Sequence, residues 1–181
     1  MPLPVVLTFF LVSLVGSAAV AQVWKPTSAS VTFRAKMFGT AVKGSFKGFT
    51  GQLQFDPATG LGSLTATVDA RTVDTDNALR NRHLREREVF FNVEKFPVIR
   101  MKSTRLEKTA TGYAGTFDLT VKSTTRPVRV PFTFTTEGTK GTFVGTFSFN
   151  RKDFDFGGNT LGMSETVSVS LLVNTVTAPS P

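Results

Sequence analysis

The chain has 181 residues, carries a formal net charge of +8, and contains 18 phenylalanines against one tryptophan and one tyrosine. It has no cysteine, which excludes a disulfide framework, a lipid-modified N-terminal cysteine and a cysteine-ligated metal centre. Once an apolar leader is set aside, this length predicts one ordinary domain, large enough to bury a real core.

The start of the chain is typical of a signal peptide. Met1–Ala21 has a continuous apolar run and ends in Ala19-Val20-Ala21, the small-x-small pattern that a signal peptidase accepts. We expect cleavage before Gln22, which gives a signal peptide over 1–21 and a folded domain over 22–181. The alternative is an uncleaved anchor, because the leader approaches the length that spans a bilayer and its start lacks lysine or arginine. Both alternatives predict a periplasmic or secreted protein.

Apolar residues recur at every second position through most of the remaining chain, between turns rich in glycine, proline, aspartate and threonine. This alternation is typical of strands with one buried face. It runs through residues 31–37, 64–68, 117–121, 128–134, 143–149 and 167–173. With further strands at about 42–55 and 98–107, the pattern predicts about eight strands in one domain, without an internal repeat.

One predicted strand changes phase. Phe46 lies on the even positions, whereas Phe49 and Phe55 lie on the odd ones, and Gly48 stands at the change. A bulge or sharp bend at Gly48 would keep both halves facing inward, as long strands do in closed barrels. The alternative is two separate short strands.

The segment from Asp69 to Pro97 is the only one with a helical, charged pattern. Asp74, Thr75 and Asp76 are N-cap candidates, and no proline or glycine interrupts the residues that follow. We expect one short helix over about 76–88, which contains the only histidine, His83.

About eight antiparallel strands and one short helix predict an all-β fold, a closed up-and-down barrel. At that strand number the interior is just wide enough for side chains or one small ligand. A two-sheet sandwich is the alternative fold.

Several separate motifs resemble those of the YceI-like family of bacterial lipid-binding proteins. Arg80-Asn81-Arg82-His83-Leu84, followed by Phe90-Phe91 and Phe96-Pro97, resembles its signature, with Asn81 at the position of the usual aspartate. Similar segments lie upstream at 42–57 and downstream at 119–128, so the resemblance covers about 30–176. The family's early His-Ser pair is absent, since Ala29-Ser30 stands there, and two extra residues precede Gly157.

The resemblance implies a lipocalin-like barrel over 22–181 that holds a polyisoprenoid or another long lipid tail. Phenylalanine suits such a lining, because it offers apolar area without a polar atom that needs a partner. The residues that we expect to line the tail are Phe33, Met37, Phe46, Leu64, Met101, Phe117, Phe132, Phe134, Phe147, Phe149 and Leu171. Gly145, between Phe143 and Phe147, is expected to leave room there. From the residues alone, a filled core is the favoured alternative.

Polar candidates for a head group at the barrel mouth are Arg80, His83 and Arg151. Arginine makes forked contacts with phosphate or a quinone oxygen, and histidine can donate to either. The alternatives are structural: His83 bonding a carbonyl or carboxylate near the helix, and the arginines in ion pairs, with Asp153 or Asp155 as partners of Arg151.

Catalysis and metal binding have little support in the sequence. There is no Gly-x-Ser-x-Gly elbow for a hydrolase, and one histidine without cysteine is a poor zinc site. We therefore expect no enzyme, no cofactor and no metal. The predicted function is an exported carrier of a long apolar lipid, which is a polyisoprenoid, an isoprenoid quinone or a fatty-acid-like chain. The alternatives are a structural or stress-response surface protein with a filled barrel and, less favoured, a lipid hydrolase using His83.

The positive charge predicts partners only weakly. Basic residues alternate with apolar ones, as in Phe33-Arg34-Ala35-Lys36-Met37, which on a strand places the cations on the solvent face. This favours a solvated exterior attracted to anionic membrane surfaces over a nucleic-acid site. A homodimer stays open as a further partner.

Overall fold

The computed structural model describes residues 21–178, in which eight strands close into a barrel. The strands are β1 (Gln22–Met37), β2 (Thr40–Asp56), β3 (Leu61–Asp74), β4 (Val98–Thr109), β5 (Gly112–Val121), β6 (Thr124–Glu137), β7 (Lys140–Asn150) and β8 (Thr166–Thr177). One helix, α1 (Ala78–Glu86), joins β3 to β4, and a short 3-10 helix, Arg151–Phe154, follows β7. The predicted leader lies outside the described residues, apart from Ala21.

Each strand pairs antiparallel with the next along the chain, and β8 pairs with β1 to close the barrel. Phe33 of β1, for example, is opposite Gly44 of β2 on one side and Val169 of β8 on the other. Closure removes both sheet edges, so every strand has two hydrogen-bonded neighbours. The predicted eight-stranded antiparallel barrel with one helix is confirmed, and the sandwich alternative is wrong.

The phase change in β2 is a bulge within one continuous strand. The pairing with β3 shifts between Ser45 and Lys47 and again before Thr50, and Gly48 has a φ of 67°. Only glycine adopts that backbone region without a Cβ clash. Phe46 and Phe49 consequently both pack against the core, as the bulge interpretation predicted, and the two-strand alternative is wrong.

The helix is shorter than predicted and begins at a different cap. Asn77 is the N-cap, in an extended conformation, and its side chain accepts from the backbone N–H of Arg80. Asp76 has a φ of 58°, in the left-handed region, whereas an N-cap residue is normally extended. Asp74 and Thr75 instead bond to Asn81. Among residues 21–178, no helix is long and apolar enough to cross a membrane.

One end of the barrel is filled by stacked aromatic rings. Phe55 is fully buried and makes edge contacts with Tyr113, Phe132, Phe134 and Phe143 at ring distances of 4.9–5.7 Å. Phe134 stacks on Phe143 at 4.1 Å. The indole N–H of Trp24 donates to the carbonyl of Phe55 at 3.0 Å, so its only polar atom is satisfied. We call the half of the barrel that these aromatic rings fill the closed end.

Candidate functional site

The opposite half of the barrel encloses a cavity of about 440 Å³. Its wall is formed by the later half of β1, the first half of β2, the middle of β3 and the barrel-facing side of α1. The start of β4 and β8, the end of β5 and β7, and the segment after Asn150 complete it. Packed protein interiors leave few voids larger than a water molecule, so this half of the barrel is not filled.

The wall is mainly aromatic and aliphatic. Seven of the predicted tail-lining residues contribute to it: Phe33, Met37, Phe46, Met101, Phe147, Phe149 and Leu171. Further aromatic residues line the cavity without having been predicted: Phe49, Phe90, Phe91, Phe154 and Phe156. Four of these five lie in connections rather than in strands, where alternation gives no signal. In the sequence, Phe90 and Phe91 stood out only as part of the family signature, which did not predict that they line the cavity.

The other four predicted tail residues lie away from the cavity. Phe132 stacks on Tyr113 at 5.4 Å, and Phe134 belongs to the aromatic stack of the closed end. Leu64 and Phe117 are buried in the same packed core. These residues face inward as predicted, but neighbouring side chains occupy the space in front of them. Alternation identifies the inner face of a strand and not the point along it where packing gives way to a void.

Gly145 also lies outside the cavity wall. A Cβ added there would meet the Pro131 carbonyl and Val130 at 3.3 Å and Phe132 at 3.4 Å. The room that the sequence indicated between Phe143 and Phe147 is occupied by β6. The expectation that Gly145 opens onto a tunnel is therefore wrong.

A hydrogen-bonded turn fixes the N-terminal end of α1 beside the cavity. The side-chain oxygen of Asn81 accepts from the N–H and the hydroxyl of Thr75 at 2.9 and 2.6 Å, and its amide donates to Asp74 at 2.8 Å. Arg80 donates from Nε to the Thr75 hydroxyl at 2.8 Å and from Nη2 to the Thr75 carbonyl at 2.7 Å. Arg80 thus lines the cavity while it braces the turn.

Asp74 is the charged group of this turn. The backbone N–H of Asp76 and then the side chain of Asn81 hold the pKa of the Asp74 carboxyl below its ordinary value of 3.8. Asn81, which stands where the family usually has aspartate, uses both ends of its amide here. An aspartate could accept from Thr75 but could not donate to ionised Asp74.

His83 lies half-buried on the cavity side of α1. Its Nε2 lies 3.1 Å from Nη2 of Arg87. Because a guanidinium can only donate, Nε2 is the acceptor in a hydrogen bond between the two side chains. In the described part of the chain, this ring bonds to no serine or carboxylate, which a hydrolytic triad would need. The predicted carbonyl or carboxylate partner is not found there either.

Arg151 is buried to 2% exposure at the cavity wall and bonds to backbone carbonyls. Its Nη1 donates to Phe156 at 2.7 Å and to Gly158 at 2.9 Å, and its Nε donates to Ser164 at 2.9 Å. The expected ion pair with Asp153 or Asp155 does not form, since both carboxylates face solvent. Carbonyls can satisfy the donors of the guanidinium without neutralising its charge.

The charged side chains that line the cavity, among residues 21–178, have one sign. Its lining includes the cations Lys36, Arg80, Arg87, Arg100 and Arg151, together with His83, and no carboxylate. Within residues 21–178, no cluster of histidine and acidic side chains is arranged to hold a metal ion. The cavity is thus an apolar pocket edged by guanidinium and ammonium groups, which suits a ligand with an apolar body and an electron-rich end.

A small closed barrel with one packed half and one apolar cavity belongs to the class of eight-stranded barrels, whose interiors hold side chains or one small ligand. Within that class, the model of the YceI-like domain matches residues 23–175. The UPF0312 protein of Ectopseudomonas mendocina (strain ymp) is 34% identical over 154 residues, 80% of this chain and 80% of that protein. The chain therefore belongs to the YceI-like family, as the sequence motifs predicted.

Other relatives match over a shorter segment or at lower sequence identity. The UPF0312 protein of Yersinia enterocolitica is 36% identical over 112 residues, which are 61% of this chain and 58% of that protein. BcnA of Burkholderia cenocepacia superposes with a TM-score of 0.74 at 26% identity, covering 81% of this chain and 95% of BcnA. A polyisoprenoid binding domain from Saccharophagus degradans superposes with a TM-score of 0.66 at 14% identity, covering 88% of this chain and 99% of that domain.

Proposed function

We propose that this protein is a carrier that holds the tail of a long apolar lipid inside the barrel, with its head group at the mouth. The observation that carries the proposal is the 440 Å³ cavity, whose wall is mainly aromatic and aliphatic and whose only charged lining residues are cations. The Saccharophagus degradans domain is described as polyisoprenoid-binding, but at 14% identity that likeness supports the fold alone. Support for lipid binding therefore comes from the residues that line the cavity of this chain.

The tail is the part of the ligand that the wall favours. Each buried methylene contributes about 0.8 kcal/mol before ordering costs, so a tail of ten or so carbons provides ample gross affinity. Phenylalanine is the commonest residue of the wall, valine and leucine supply much of the rest, and three methionines adapt to irregular shapes. These properties suit a polyisoprenoid, an isoprenoid quinone or an alkyl chain, and the fit between tail and cavity decides among them.

The head group is the part that the mouth favours. Arg80 lies on α1 and Arg87 is its C-cap, and their guanidinium groups can reach a phosphate, a carboxylate or a quinone carbonyl. Arg151 already spends most of its donors on carbonyls, so it contributes mainly positive charge. A cationic head group would meet like charges and no carboxylate.

The alternative of a filled barrel applies to only one half of the molecule. The closed end is packed by aromatic rings, as that alternative requires, whereas the other half contains the cavity. A purely structural barrel has no use for a large void beside a charged rim, because unfilled apolar volume lowers stability.

Export is part of the same proposal. The Ala19-Val20-Ala21 sequence supports cleavage before Gln22, and β1 begins at Gln22, so cleavage there would leave the barrel complete. N-terminal mass analysis of protein from the producing cell tests this. An intact Met1 on the mature protein would refute cleavage.

Organic extraction of the purified protein, followed by mass spectrometry, tests the carrier itself. We expect one stoichiometric lipid with a tail of more than about ten carbons. Stripped protein should then take up a polyprenyl phosphate or palmitate and reject an alkylammonium of the same length. No lipid in the extract, together with no uptake of either anionic probe, would overturn the proposal.

A further inference from the structure

Three apolar side chains stand exposed on segments that line the cavity, and we call this end of the barrel the mouth: Leu79 lines it directly, and Phe38 and Leu161 are the chain neighbours of the lining residues Met37 and Thr160. Phe38, in the turn between β1 and β2, is 72% exposed, and Leu161, in the connection before β8, is 81% exposed. Leu79, in the first turn of α1, lines the cavity and is 55% exposed. Single exposed apolar residues are ordinary on protein surfaces, but three around one opening form a group that has a use if something covers it.

Phe38 and Leu161 are held together by backbone contacts. The N–H of Phe38 donates to the carbonyl of Gly162 at 2.7 Å, and Met37 bridges to Met163. The Phe38 ring lies so close to Gly162 that a Cβ there would come within 2.5 Å of it. The two loops therefore present their apolar side chains as one fixed unit.

The backbone of Phe38 has a φ of 49°, in the left-handed region that bulky residues rarely adopt. The backbone conformation of Phe38 is unfavourable, and burial offsets little of that cost because most of the ring faces solvent. In an isolated barrel, glycine or asparagine would serve this turn better. An exposed aromatic ring in an unfavourable conformation indicates a contact made outside the chain.

The hairpin that carries Phe38 is uniformly basic. From Gln22 to Phe55 there is no acidic residue, and the five cations are Lys25, Arg34, Lys36, Lys43 and Lys47. Arg34 and Lys43 are cross-strand partners and are exposed, as is Lys36 next to the turn. Apolar tips beside cations on flexible stems suit the surface of an anionic bilayer, where the tips enter the acyl boundary and the cations meet phosphates.

We propose that the mouth end of the barrel docks on an anionic phospholipid bilayer through Phe38 and Leu161, with Arg34, Lys36 and Lys43 facing the head groups. We call these five residues the docking face. The proposal rests on the carrier function only for its purpose, the exchange of cargo with the membrane, and the contact itself is independent of that function. A second copy placed hairpin to hairpin would bring cations against cations, which disfavours a dimer through this face.

Vesicle flotation tests the docking face. Mixed phosphatidylcholine and phosphatidylglycerol vesicles should capture the protein, and pure phosphatidylcholine vesicles should capture at least about tenfold less, with capture falling as salt rises. The double change Phe38→Ser with Leu161→Ser should weaken capture by about tenfold or more, because the buried apolar area is lost. Lys43→Gln should weaken it about fivefold.

The outer wall of the barrel offers matched controls. Val144 and Leu172 are cross-strand partners, 43% and 40% exposed, so Val144→Ser with Leu172→Ser removes a similar apolar pair elsewhere. Lys25→Gln removes a cation from the closed-end half of the same strand. Both controls should change capture by less than about twofold. Thermal unfolding of each variant shows whether the barrel is intact.

The outcomes separate docking from cargo binding. A docking variant that keeps its lipid cargo but loses capture supports the proposal. Equal capture of the docking and wall variants overturns it and leaves the carrier function standing. Concentration-dependent dimers in light scattering, lost only in the Phe38 and Leu161 variant, would assign the face to a second copy and overturn the proposal. Anion-dependent capture by a barrel that holds no lipid would reject the carrier and keep the docking face.

Discussion

At the scale of the residue, Arg151 shows how a side chain can line a cavity without being free to bind. Its donors reach the carbonyls of Phe156, Gly158, Met163 and Ser164. Those carbonyls belong to the connection between β7 and β8, which also carries Leu161. The guanidinium thus holds that connection in place.

We predict that Arg151→Leu lowers the free energy of unfolding by about 3 kcal/mol, because buried carbonyls lose their donors. The free energy of unfolding of Arg151→Lys should lie between those of Arg151→Leu and the wild type, since one ammonium cannot reach all four carbonyls. Lys152→Gln is the control: its neighbouring pair with Glu165 is exposed and contributes at most about 1 kcal/mol. Urea unfolding measures all three, and an equal loss for both positions would contradict the structural role of Arg151.

His83 offers a milder test. Within residues 21–178 its one side-chain hydrogen bond joins it to Arg87, the C-cap of its helix, and its ring donates to no backbone carbonyl. We predict that His83→Ala changes the affinity for a lipid probe by no more than about 1.5 kcal/mol, the scale of one hydrogen bond. Titration of stripped protein with a polyprenyl phosphate measures this. Loss of a reproducible hydrolytic activity in a folded variant would instead support the hydrolase alternative.

Asp74 gives the turn before α1 a pH dependence. Its folded pKa lies below the ordinary 3.8, so its contribution to stability is present above 3.8 and is lost as the pH falls through the folded value. We predict that the melting temperature of the wild type falls between about pH 5 and about pH 2 more steeply than that of Asp74→Asn. Melting curves of both proteins check this, and identical slopes would show that Asp74 is not coupled to folding.

At the scale of the element, strands were predictable and the cavity was not. Alternation located six strands, two more were predicted at about 42–55 and 98–107, and the change of phase located the bulge at Gly48, because each depends on local side-chain pattern. The extent of the cavity depends on which rings meet across the barrel, as Phe134 and Phe143 do at 4.1 Å. Alternation along single strands carries no information about such pairs, so Leu64 and Phe117 were placed at the tail when packing had already covered them.

Helix α1 shows the same limit. Its existence followed from a charged segment without proline or glycine, and Arg80 and His83 were predicted at the mouth, where they do line the cavity. The cap was misplaced, because Thr75 and Asp74 bond to Asn81, a partner that propensity alone does not reveal. The bonds of Arg151 to backbone carbonyls were not predicted for a similar reason, since those carbonyls belong to an irregular connection.

A pair of leucine substitutions on the inner wall separates the cavity from the packed core. Ala66 of β3 lines the cavity, so Ala66→Leu should occupy space meant for lipid and cost less than about 1 kcal/mol of stability. Gly145→Leu meets β6 atoms at 3.3 Å and should lose about 1–3 kcal/mol by overpacking. We predict reduced lipid content in the first variant. Urea unfolding and lipid extraction of both measure this, and equal stability losses would mean that Ala66 faces a filled core.

At the scale of the whole molecule, the densest aromatic packing and the cavity lie in different halves. The described residues contain four ion pairs, and each has at least one largely exposed partner, so together they contribute little. Stability comes instead from buried packing, to which the aromatic rings of the closed end around Phe55 and Trp24 contribute. The mouth half can therefore keep a void without unfolding the barrel, which is what a carrier needs.

The closed end also decides how the proposed cargo can be exchanged. Trp24, Phe55, Phe134 and Phe143 pack together at the closed end, so an entering tail has no path through that end by which to push the resident tail out from behind. One molecule must leave before the next enters. The rate at which a labelled lipid is released should therefore be set by departure alone and stay constant as unlabelled competitor is raised. Stopped-flow release measured over a range of competitor concentrations checks this, and a release rate that climbs with competitor would mean that two tails can share the barrel.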